Sequence, residues 1–501
     1  MNVQEAKERL YSLQKTSAAY SHALGLLFYD GATAAPRGTA ANRARSMAVL
    51  TEAAYRQETA ADTAELLTFL AQRPEALTAR EARMVELLQK KTQRMQRIPL
   101  EEYVAYRRLG VEANAVWREA KARNDFDAFR PYLERRFAAC RRMAELAAPG
   151  TDPFDYWLDS NEEGVDTALC DDFFRVVRQR LVPLLQRVNA CPRPSLDVLR
   201  GCFPPRQQEQ LARRLMEVLG LDGDHVGLST TEHPFTTSLG SHLDGRITTH
   251  YYEEDFSYSL FSVIHEGGHA LYNTGVDDEL VYTALDGGAS AGLHESQSRF
   301  YENYLGRSRA FCTCVFPIAQ ACFPQQLKGR TAEEFYRAVN RVEPTLIRTQ
   351  ADELTYPLHI LVRYELEKRA MRGELEASEM PAEWDRLYGE YLGVEVPDDR
   401  RGILQDCHWA DGYMGYFPSY ALGNAYGAQF LRKMQETVDV EGCLLRGDLG
   451  PINAGNREHI WRFGRSLPPS ELFRQAAGAP FDPEVYADWM EEKFTGLYGL
   501  S

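Results

Sequence analysis

The stretch His265-Glu266-Gly267-Gly268-His269, near the middle of the chain, has residue types and a spacing that suit the activation of water by a metal ion. On a helix, residues four positions apart lie on one face, so the imidazoles of His265 and His269 can bind the same ion. Glu266 follows the first histidine and can act as the base towards a metal-bound water. This H-E-x-x-H arrangement predicts a zinc site.

A helix is the element that must position these side chains. The mostly apolar residues 261–264 and 270–272 flank the motif and give it helical length. Two adjacent glycines weaken such a helix, since each costs about 1 kcal/mol relative to alanine. Gly267 and Gly268 therefore indicate that a neighbouring helix or a substrate approaches the backbone closely.

A catalytic zinc ion normally takes a third protein ligand and keeps one coordination position open. A histidine six residues after His269 would be one option, but that position is Gly275. The next carboxylates on a helix-like segment follow the glycine-containing loop 286–290, which allows the chain to turn back onto the first helix. We therefore predict Glu295 as the third ligand. The acidic run 277–279 is a weaker choice because it follows His269 too soon for a returning helix.

Arg348 and Asp352 are a second candidate pair. Residues 343–345 predict the start of a helix that runs towards Gly373, with a kink at Pro357. On that helix the two side chains are four positions apart, so Asp352 would hold the guanidinium in one orientation. The pair is either a surface ion pair or a device that presents Arg348 to a substrate carboxylate, and the spacing leaves both interpretations open.

Helical periodicity extends through most of the chain. From residue 1 to about 150, apolar residues recur at intervals of three and four, with a break at 35–38 and a capping box at 78–81. Residues 150–175 and 405–420 have the composition of loops, because glycine, proline and polar or aromatic residues replace the periodic pattern.

The clearest strand signals lie at 235–239 and 246–251, which we predict to pair as a hairpin just before the metal-binding helix. The edge of such a small sheet could pair with an extended peptide. No repeat or compositional shift divides the chain. We therefore predict a mainly α fold, one large helical domain over 1–501 with a long active-site groove and a small β-sheet beside the helix of the motif. Its helical N-terminal part covers about 1–200 and its catalytic part about 201–501.

Bulk composition narrows the class of protein. The formal net charge of −15 argues against binding to nucleic acid or to an anionic membrane surface. The nine cysteines form no regular framework, which favours free thiols in a reducing compartment. The charged N-terminal segment has no apolar signal core, and no apolar run approaches the ~20 residues of a membrane span. These features predict a cytoplasmic protein.

Several further motifs occur in a fixed order around the H-E-x-x-H stretch. They are His233-Pro234-Phe235, Asp244-Gly245-Arg246-Ile247-Thr248, His294-Glu295-Ser296-Gln297, Ile347-Arg348-Thr349-Gln350-Ala351-Asp352 and Gly402-Ile403-Leu404-Gln405-Asp406-Cys407-His408-Trp409. With these motifs the chain resembles the M32 family of metallocarboxypeptidases, typified by carboxypeptidase Taq. The motifs cover about residues 233 to 424, and the total length and helical first half agree with the family.

The resemblance implies a zinc-dependent carboxypeptidase that removes C-terminal residues from peptides with a free C-terminus. His265, His269 and Glu295 would hold one Zn²⁺ per chain, for which Co²⁺ can substitute, and Glu266 would be the general base. It also implies a homodimer.

The same resemblance favours a substrate-binding role for Arg348, which would take the C-terminal carboxylate of the peptide. Arg246 is a second candidate for this contact, and His233 belongs to a motif that we assign to substrate binding.

His408 and Tyr416 would donate hydrogen bonds to the oxyanion of the transition state, with Tyr420 as the alternative tyrosine. Two positions depart from the family pattern, since Tyr29 stands in place of a tryptophan and His250 in place of an arginine. Neither belongs to the predicted metal site.

Two other functions remain to be compared with this prediction. An oligo-endopeptidase or dipeptidase of the same helical group would keep the zinc site and change the bond that is cut. A non-catalytic, peptide-binding zinc protein would have no need of a base at Glu266.

Overall fold

Helices make up most of residues 1–500, which are the residues described by the computed structural model. In chain order the helices are α1 (Val3–Thr33), α2 (Ala40–Thr59), α3 (Ala61–Ala71), α4 (Ala79–Arg97), α5 (Leu100–Arg123), α6 (Phe126–Ala147), α7 (Pro153–Asn161), α8 (Thr167–Asn189), α9 (Pro205–Leu219), α10 (Phe256–Thr274), α11 (Ala291–Arg299), α12 (Arg309–Cys322), α13 (Ala332–Val339), α14 (Tyr356–Met371), α15 (Met380–Leu392), α16 (His408–Asp411), α17 (Phe417–Met434), α18 (Val440–Arg446), α19 (Gly450–His459), α20 (Pro469–Ala477) and α21 (Pro483–Tyr498). A π-helix, Phe300–Gly306, follows α11 directly. Short 3-10 helices lie at Arg37–Thr39, Pro74–Ala76, Asp197–Leu199, Asp278–Leu280, Arg348–Gln350 and Trp461–Phe463.

This architecture confirms the predicted mainly α fold with one small sheet. Within residues 1–500, none of the helices combines the length and the apolar composition needed to cross a membrane. All nine cysteines lie in this part of the chain and are free thiols.

The chain packs into two compact units, each assembled from separated stretches of sequence. Unit 1 contains Met1–Met95, Ser195–Val339 and Phe430–Pro480. Unit 2 contains Gln96–Pro194, Asn340–Gln429 and the residues from Phe481 onwards. The single domain and its division at about residue 200 stay predictions.

The helix starts in unit 1 follow from local capping. At the start of α4, the Glu81 N–H donates to Thr78 Oγ1 (3.2 Å) and the Thr78 N–H donates to Glu81 Oε2 (2.8 Å). These reciprocal bonds are the predicted capping box. The predicted break near Pro36 is also present, since α1 ends at Thr33 and a 3-10 turn precedes α2.

The three strands of unit 1 are β1 (Val226–Thr230), β2 (Thr236–Ser238) and β3 (Gly245–Thr249). β3 lies in the centre, antiparallel to β2 and parallel to β1. The predicted hairpin is thus β2–β3, with Thr236 opposite Ile247. β1 was not predicted, because its residues Val226-Gly227-Leu228-Ser229-Thr230 contain a glycine and give only a short alternation.

The prediction of a loop at 150–175, in unit 2, was wrong. These residues contain α7 and the start of α8. Asp152 and Asp166 cap these helices, accepting from the N–H groups of Phe154 (2.8 Å) and Leu169 (2.9 Å). Pro153 occupies the first position of α7, where its missing N–H is not needed. Proline and acidic residues occur both in loops and at helix starts, and here they start helices.

Candidate metal centre

α10 carries the H-E-x-x-H motif of unit 1, as predicted. The helix begins after Asp255, whose carboxylate accepts from the Ser257 N–H at 2.9 Å. The rings of His265 and His269, one helical turn apart, have centroids separated by 5.0 Å. Both imidazoles therefore face the same small volume.

The two glycines of the motif allow close packing of α10, which confirms the predicted close approach. A Cβ atom on Gly268 would lie 2.6 Å from the backbone oxygen of Gln297 and 2.8 Å from Ser298 Cα, both on α11. A Cβ on Gly267 would lie 2.8 Å from the side chain of Leu219. The approaching element at Gly268 is a neighbouring helix, and it is the helix that carries Glu295.

Glu295 completes a cluster of side chains that could hold a metal ion. Its Oε2 lies 3.5 Å from His269 Nε2 and 3.8 Å from His265 Nε2, and the three ligand atoms lie within 4.8 Å of one another. Two ligands held at about 2.1 Å from one ion in tetrahedral geometry are about 3.4 Å apart, close to these distances. Two imidazoles and a carboxylate are also the donor set of many catalytic zinc sites. The residues present therefore fit a divalent cation.

Positive charges keep Glu295 ionised. Burial raises the pKa of this carboxyl, but the charges of Arg299 and His265 lower it by more, so the pKa lies well below its usual range. The Arg299 Nε donates to Glu295 Oε1 at 2.7 Å. The contact leaves the other oxygen, Oε2, directed at the two histidines.

Glu302, on the π-helix, lies beside the candidate metal site and was missed by the sequence reasoning. Its Oε2 lies 2.8 Å from His265 Nδ1, and Arg299 and Arg307 donate to its carboxylate at 3.0 and 3.1 Å. A carboxylate on the second ring nitrogen fixes the tautomer of a ligating histidine. The spacing of seven residues from Glu295 to Glu302, about two helical turns, was the signal available in the sequence.

His269 has a different partner, the imidazole of His294 on α11. The two Nδ1 atoms are 2.6 Å apart, and His294 Nε2 lies 2.8 Å from Asn273 Oδ1. Burial, together with the nearby His269 and Arg465, lowers the pKa of His294 to about 3, so its ring is neutral at pH 7.

Glu266, the predicted base, is buried, and a residue of the small sheet holds its carboxylate by a hydrogen bond. The hydroxyl of Thr236, on the edge strand β2, lies 2.6 Å from Glu266 Oε2 and 2.9 Å from its backbone oxygen. The strand thus fixes the carboxylate next to the two histidines of the motif. Through this contact the small sheet orients Glu266 in the candidate metal centre.

Two predicted substrate-binding residues also lie in unit 1. Arg246, on β3, forms an ion pair with Asp244 (Nε–Oδ1 2.5 Å) and lies over the ring of Tyr29. His233 is exposed in the segment between β1 and β2.

Arg348 lies in unit 2, and its predicted partner is wrong. The helix predicted from residue 343 begins only at Tyr356, so Pro357 stands in the first turn of α14 and makes no kink. Asp352 accepts from the backbone N–H groups of Leu354 (3.0 Å) and Thr355 (2.9 Å) before that helix. Arg348 is instead buried and donates to Asp406 Oδ1 from Nε (3.2 Å) and Nη2 (3.0 Å).

Asp406 joins two arginines in this cluster. Its second oxygen accepts from Arg363 Nε at 2.7 Å, and Gln405 Oε1 accepts from both Arg363 Nη2 (2.7 Å) and the Arg348 N–H (3.0 Å). The pKa of Asp406, raised by burial, is lowered by more through the charges of Arg363 and Arg348 and lies well below its usual range. Two guanidinium groups share one carboxylate, so the cluster carries a net positive charge.

The segment 405–420, predicted as a loop, contains α16 and the start of α17. His408 begins α16, and its ring lies 6.0 Å from the ring of Tyr416 and 6.4 Å from that of Tyr420, between centroids. Burial lowers the pKa of His408 to about 4; Asp406 opposes this shift, and Arg348 and Arg363 add to it. The structure thus brings the three predicted oxyanion donors together in unit 2, with His408 neutral at pH 7.

The comparisons with known proteins agree along the whole chain. A family model described as carboxypeptidase Taq (M32) metallopeptidase matches residues 9–494. Carboxypeptidase 1 of Bacillus subtilis is 36% identical over 502 residues, covering 100% of both chains, and thermostable carboxypeptidase 1 of Thermus thermophilus is 36% identical over 518 residues, again covering 100% of both. The crystal structure of the M32 carboxypeptidase from Deinococcus radiodurans R1 is similar with a TM-score of 0.96 at 36% identity, over 99% of this chain and 100% of that one. The chain therefore belongs to the carboxypeptidase Taq (M32) family of metallopeptidases, and it is a metallocarboxypeptidase, an enzyme that hydrolyses peptide bonds.

Proposed function

We propose that the enzyme uses zinc, bound by His265, His269 and Glu295, to hydrolyse the C-terminal peptide bond of peptides with a free C-terminus. The observation that supports this most directly is the convergence of the three ligand atoms beside Glu266. A zinc ion at this position would polarise the scissile carbonyl and lower the pKa of water towards ~7.

In this proposal Glu266 performs the proton transfers. It takes the proton from the attacking water and returns it to the nitrogen of the leaving amino acid. Its hydrogen bond with Thr236 holds the carboxylate in one rotamer during both steps. Arg299 and Glu302 orient two of the proposed ligands, because Arg299 contacts Glu295 and Glu302 contacts His265.

Arg348 is the proposed anchor for the carboxylate at the peptide's C-terminus. Its contacts to Asp406 and to the Tyr356 hydroxyl (3.3 Å) use three of the five N–H donors of a guanidinium. One donor on each terminal nitrogen is left for a bidentate contact with a carboxylate. The net positive charge of the Arg348–Asp406–Arg363 cluster also favours an anion. Arg246 and His233 are further substrate-binding candidates.

His408 and Tyr416 are the proposed donors to the developing oxyanion, with Tyr420 as the alternative. A neutral imidazole and a phenol each offer one hydrogen to an oxygen that gains negative charge, and such donors contribute ~3–4 kcal/mol to the transition state. We further propose that Co²⁺ can replace Zn²⁺, that the enzyme is a cytoplasmic homodimer, and that it acts on peptides and binds neither nucleic acid nor membranes.

The experiment that tests the activity compares an N-blocked dipeptide with the same compound carrying a C-terminal amide, alongside metal analysis of the purified enzyme. We expect about one zinc per chain and hydrolysis of the free acid, with the amide slower by at least about 10-fold, because loss of a charge-assisted bond costs about 1.5–3 kcal/mol. Equal rates on both compounds would indicate an endopeptidase. Bound metal without hydrolysis would indicate a binding protein.

A further inference from the structure

We propose that Asn273 and His294 are positioning residues, which fix the ring nitrogen through which His269 binds the metal. This inference rests on the metal site proposed above. Asn273 lies on α10 one turn after His269, and His294 lies on α11 directly before Glu295. The three side chains form a continuous chain of contacts, Asn273 Oδ1 to His294 Nε2 (2.8 Å) and His294 Nδ1 to His269 Nδ1 (2.6 Å).

The chemistry of the donors and acceptors gives this chain one direction. An amide oxygen only accepts, so His294 must carry its hydrogen on Nε2. The 2.6 Å contact between the two Nδ1 atoms needs one donor and one acceptor. The His294 ring already donates through Nε2, so its Nδ1 is the acceptor for His269 Nδ1–H. The Nε2 of His269 is therefore left without a hydrogen, and this is the atom that faces Glu295 Oε2 at 3.5 Å. The reverse direction would place a hydrogen on the ligand atom itself.

Packing prevents His294 from reversing this pattern by turning its ring. A Cβ atom on Gly288 would lie 2.5 Å from His294 Cδ2, so the Gly288 backbone lies close to that edge of the imidazole. The Tyr272 ring lies 5.2 Å away, between centroids, and its hydroxyl is fixed by the Ala289 N–H at 3.0 Å. The imidazole is held in the orientation in which both of its nitrogens have partners.

The two proposed histidine ligands are thus oriented by different means. His265 contacts the carboxylate of Glu302, whereas His269 contacts the imidazole of His294 and, through it, the amide of Asn273. We call His294 and Asn273 the relay. The relay orients His269 without adding another carboxylate to a site that already contains Glu266, Glu295 and Glu302. The relay also gives a task to the histidine of the His294-Glu295-Ser296-Gln297 motif.

The test is the zinc dissociation constant of the full-length enzyme, measured by competition with a chromogenic chelator. Asn273→Leu has nearly the shape of asparagine and removes the acceptor, so we expect zinc binding about 10–100-fold weaker. Asn273→Asp keeps an oxygen at the same place and should retain most of the affinity. A Leu variant within about threefold of wild type, or Leu and Asp variants that lose equally, would overturn the proposal. If Asn273→Leu does not fold, Asn273→Ala answers the same question.

Two reference variants separate this inference from the proposed metal site. Thr274→Val changes the next residue of α10, whose hydroxyl bonds only to the Ala270 oxygen (2.9 Å) among the contacts of this structure, and should leave affinity unchanged. His269→Ala should abolish tight binding. If His269→Ala still binds zinc tightly, the proposed ligand set fails. If it loses zinc while Asn273→Leu does not, the relay alone fails.

Discussion

Glu266 can be changed to glutamine without loss of the contact that holds it, because the Thr236 hydroxyl can donate to an amide oxygen as well. We expect Glu266→Gln to keep its zinc and to lose about 10³-fold in kcat, since a positioned base contributes 10²–10⁴-fold. Metal analysis and steady-state kinetics measure both. Glu254→Gln, at an exposed position before α10, should retain full activity. Peptide hydrolysis by Glu266→Gln at a rate comparable to wild type would exclude this base.

Arg348→Lys separates charge from geometry at the proposed anchor. A lysine keeps the positive charge but cannot contact Asp406 and a substrate carboxylate as a fork does. We expect KM for the N-blocked dipeptide to rise about 10–100-fold, the equivalent of one charge-assisted hydrogen bond. Arg401→Lys, in an exposed ion pair with Asp398, is the matched change and should have no effect. An unchanged KM in Arg348→Lys would remove the residue from the carboxylate site.

The individual residues of the candidate metal site were the part of the molecule most open to prediction from the sequence. The spacing within H-E-x-x-H and the return of the chain after 286–290 were sufficient to predict that His265, His269 and Glu295 come together, and the structure brings their ligand atoms within 4.8 Å of one another. Arg348 shows where such reasoning stops. Its partner Asp406 is far along the chain, while the nearby Asp352 is used by backbone N–H groups, and local spacing contains no information on that competition.

Among the secondary-structure elements, the contact between α10 and α11 brings Glu295 to the two histidines of the motif. Gly268→Ala places a Cβ against the backbone of α11, which has no flexible end to move, whereas Gly267→Ala meets the tip of Leu219. We expect Gly268→Ala to lower the free energy of unfolding by about 1–3 kcal/mol, as overpacking does, and to weaken zinc binding. Gly267→Ala should show a smaller loss. Equal stability and zinc affinity in the two variants would contradict this account of the glycine pair.

The elements themselves were predicted unevenly, for a physical reason. α10 and the hairpin β2–β3 have strong periodic signals of their own. β1 is a strand because β3 pairs with it, and α7 starts at a proline and an acidic cap that also occur in loops. The π-helix after α11 has no signature in composition, and Glu302 was missed with it.

Glu367 links the stability of the whole molecule to pH. This buried carboxyl of α14 accepts from the Gly415 N–H and from Trp409 Nε1 (3.2 Å) in unit 2. Burial raises its pKa to about 7, and these two hydrogen bonds oppose the shift. The folded state therefore holds a proton that the unfolded chain releases near its ordinary pKa of about 4.3. Stability should fall as pH rises from about 4.3 through 7.

We expect Glu367→Gln to flatten this dependence, so that the difference in thermal midpoint between pH 5 and pH 8 is smaller than in wild type. Thermal unfolding at a series of pH values measures it. Glu374→Gln, at an exposed position after α14, should follow the wild-type curve. Parallel curves for wild type and Glu367→Gln would show that Glu367 does not titrate in this range.

The interleaved order of the two units has a consequence for synthesis on the ribosome. The third stretch of unit 1 includes Trp461, whose Nε1 donates at 2.8 Å to Oε1 of Gln297 on α11, the helix that carries Glu295. The final stretch of unit 2 supplies Tyr498, whose hydroxyl accepts from the Val342 N–H at 2.8 Å. A nascent chain that already contains every proposed ligand still lacks these supports. Neither unit can therefore complete its packing until translation is almost finished.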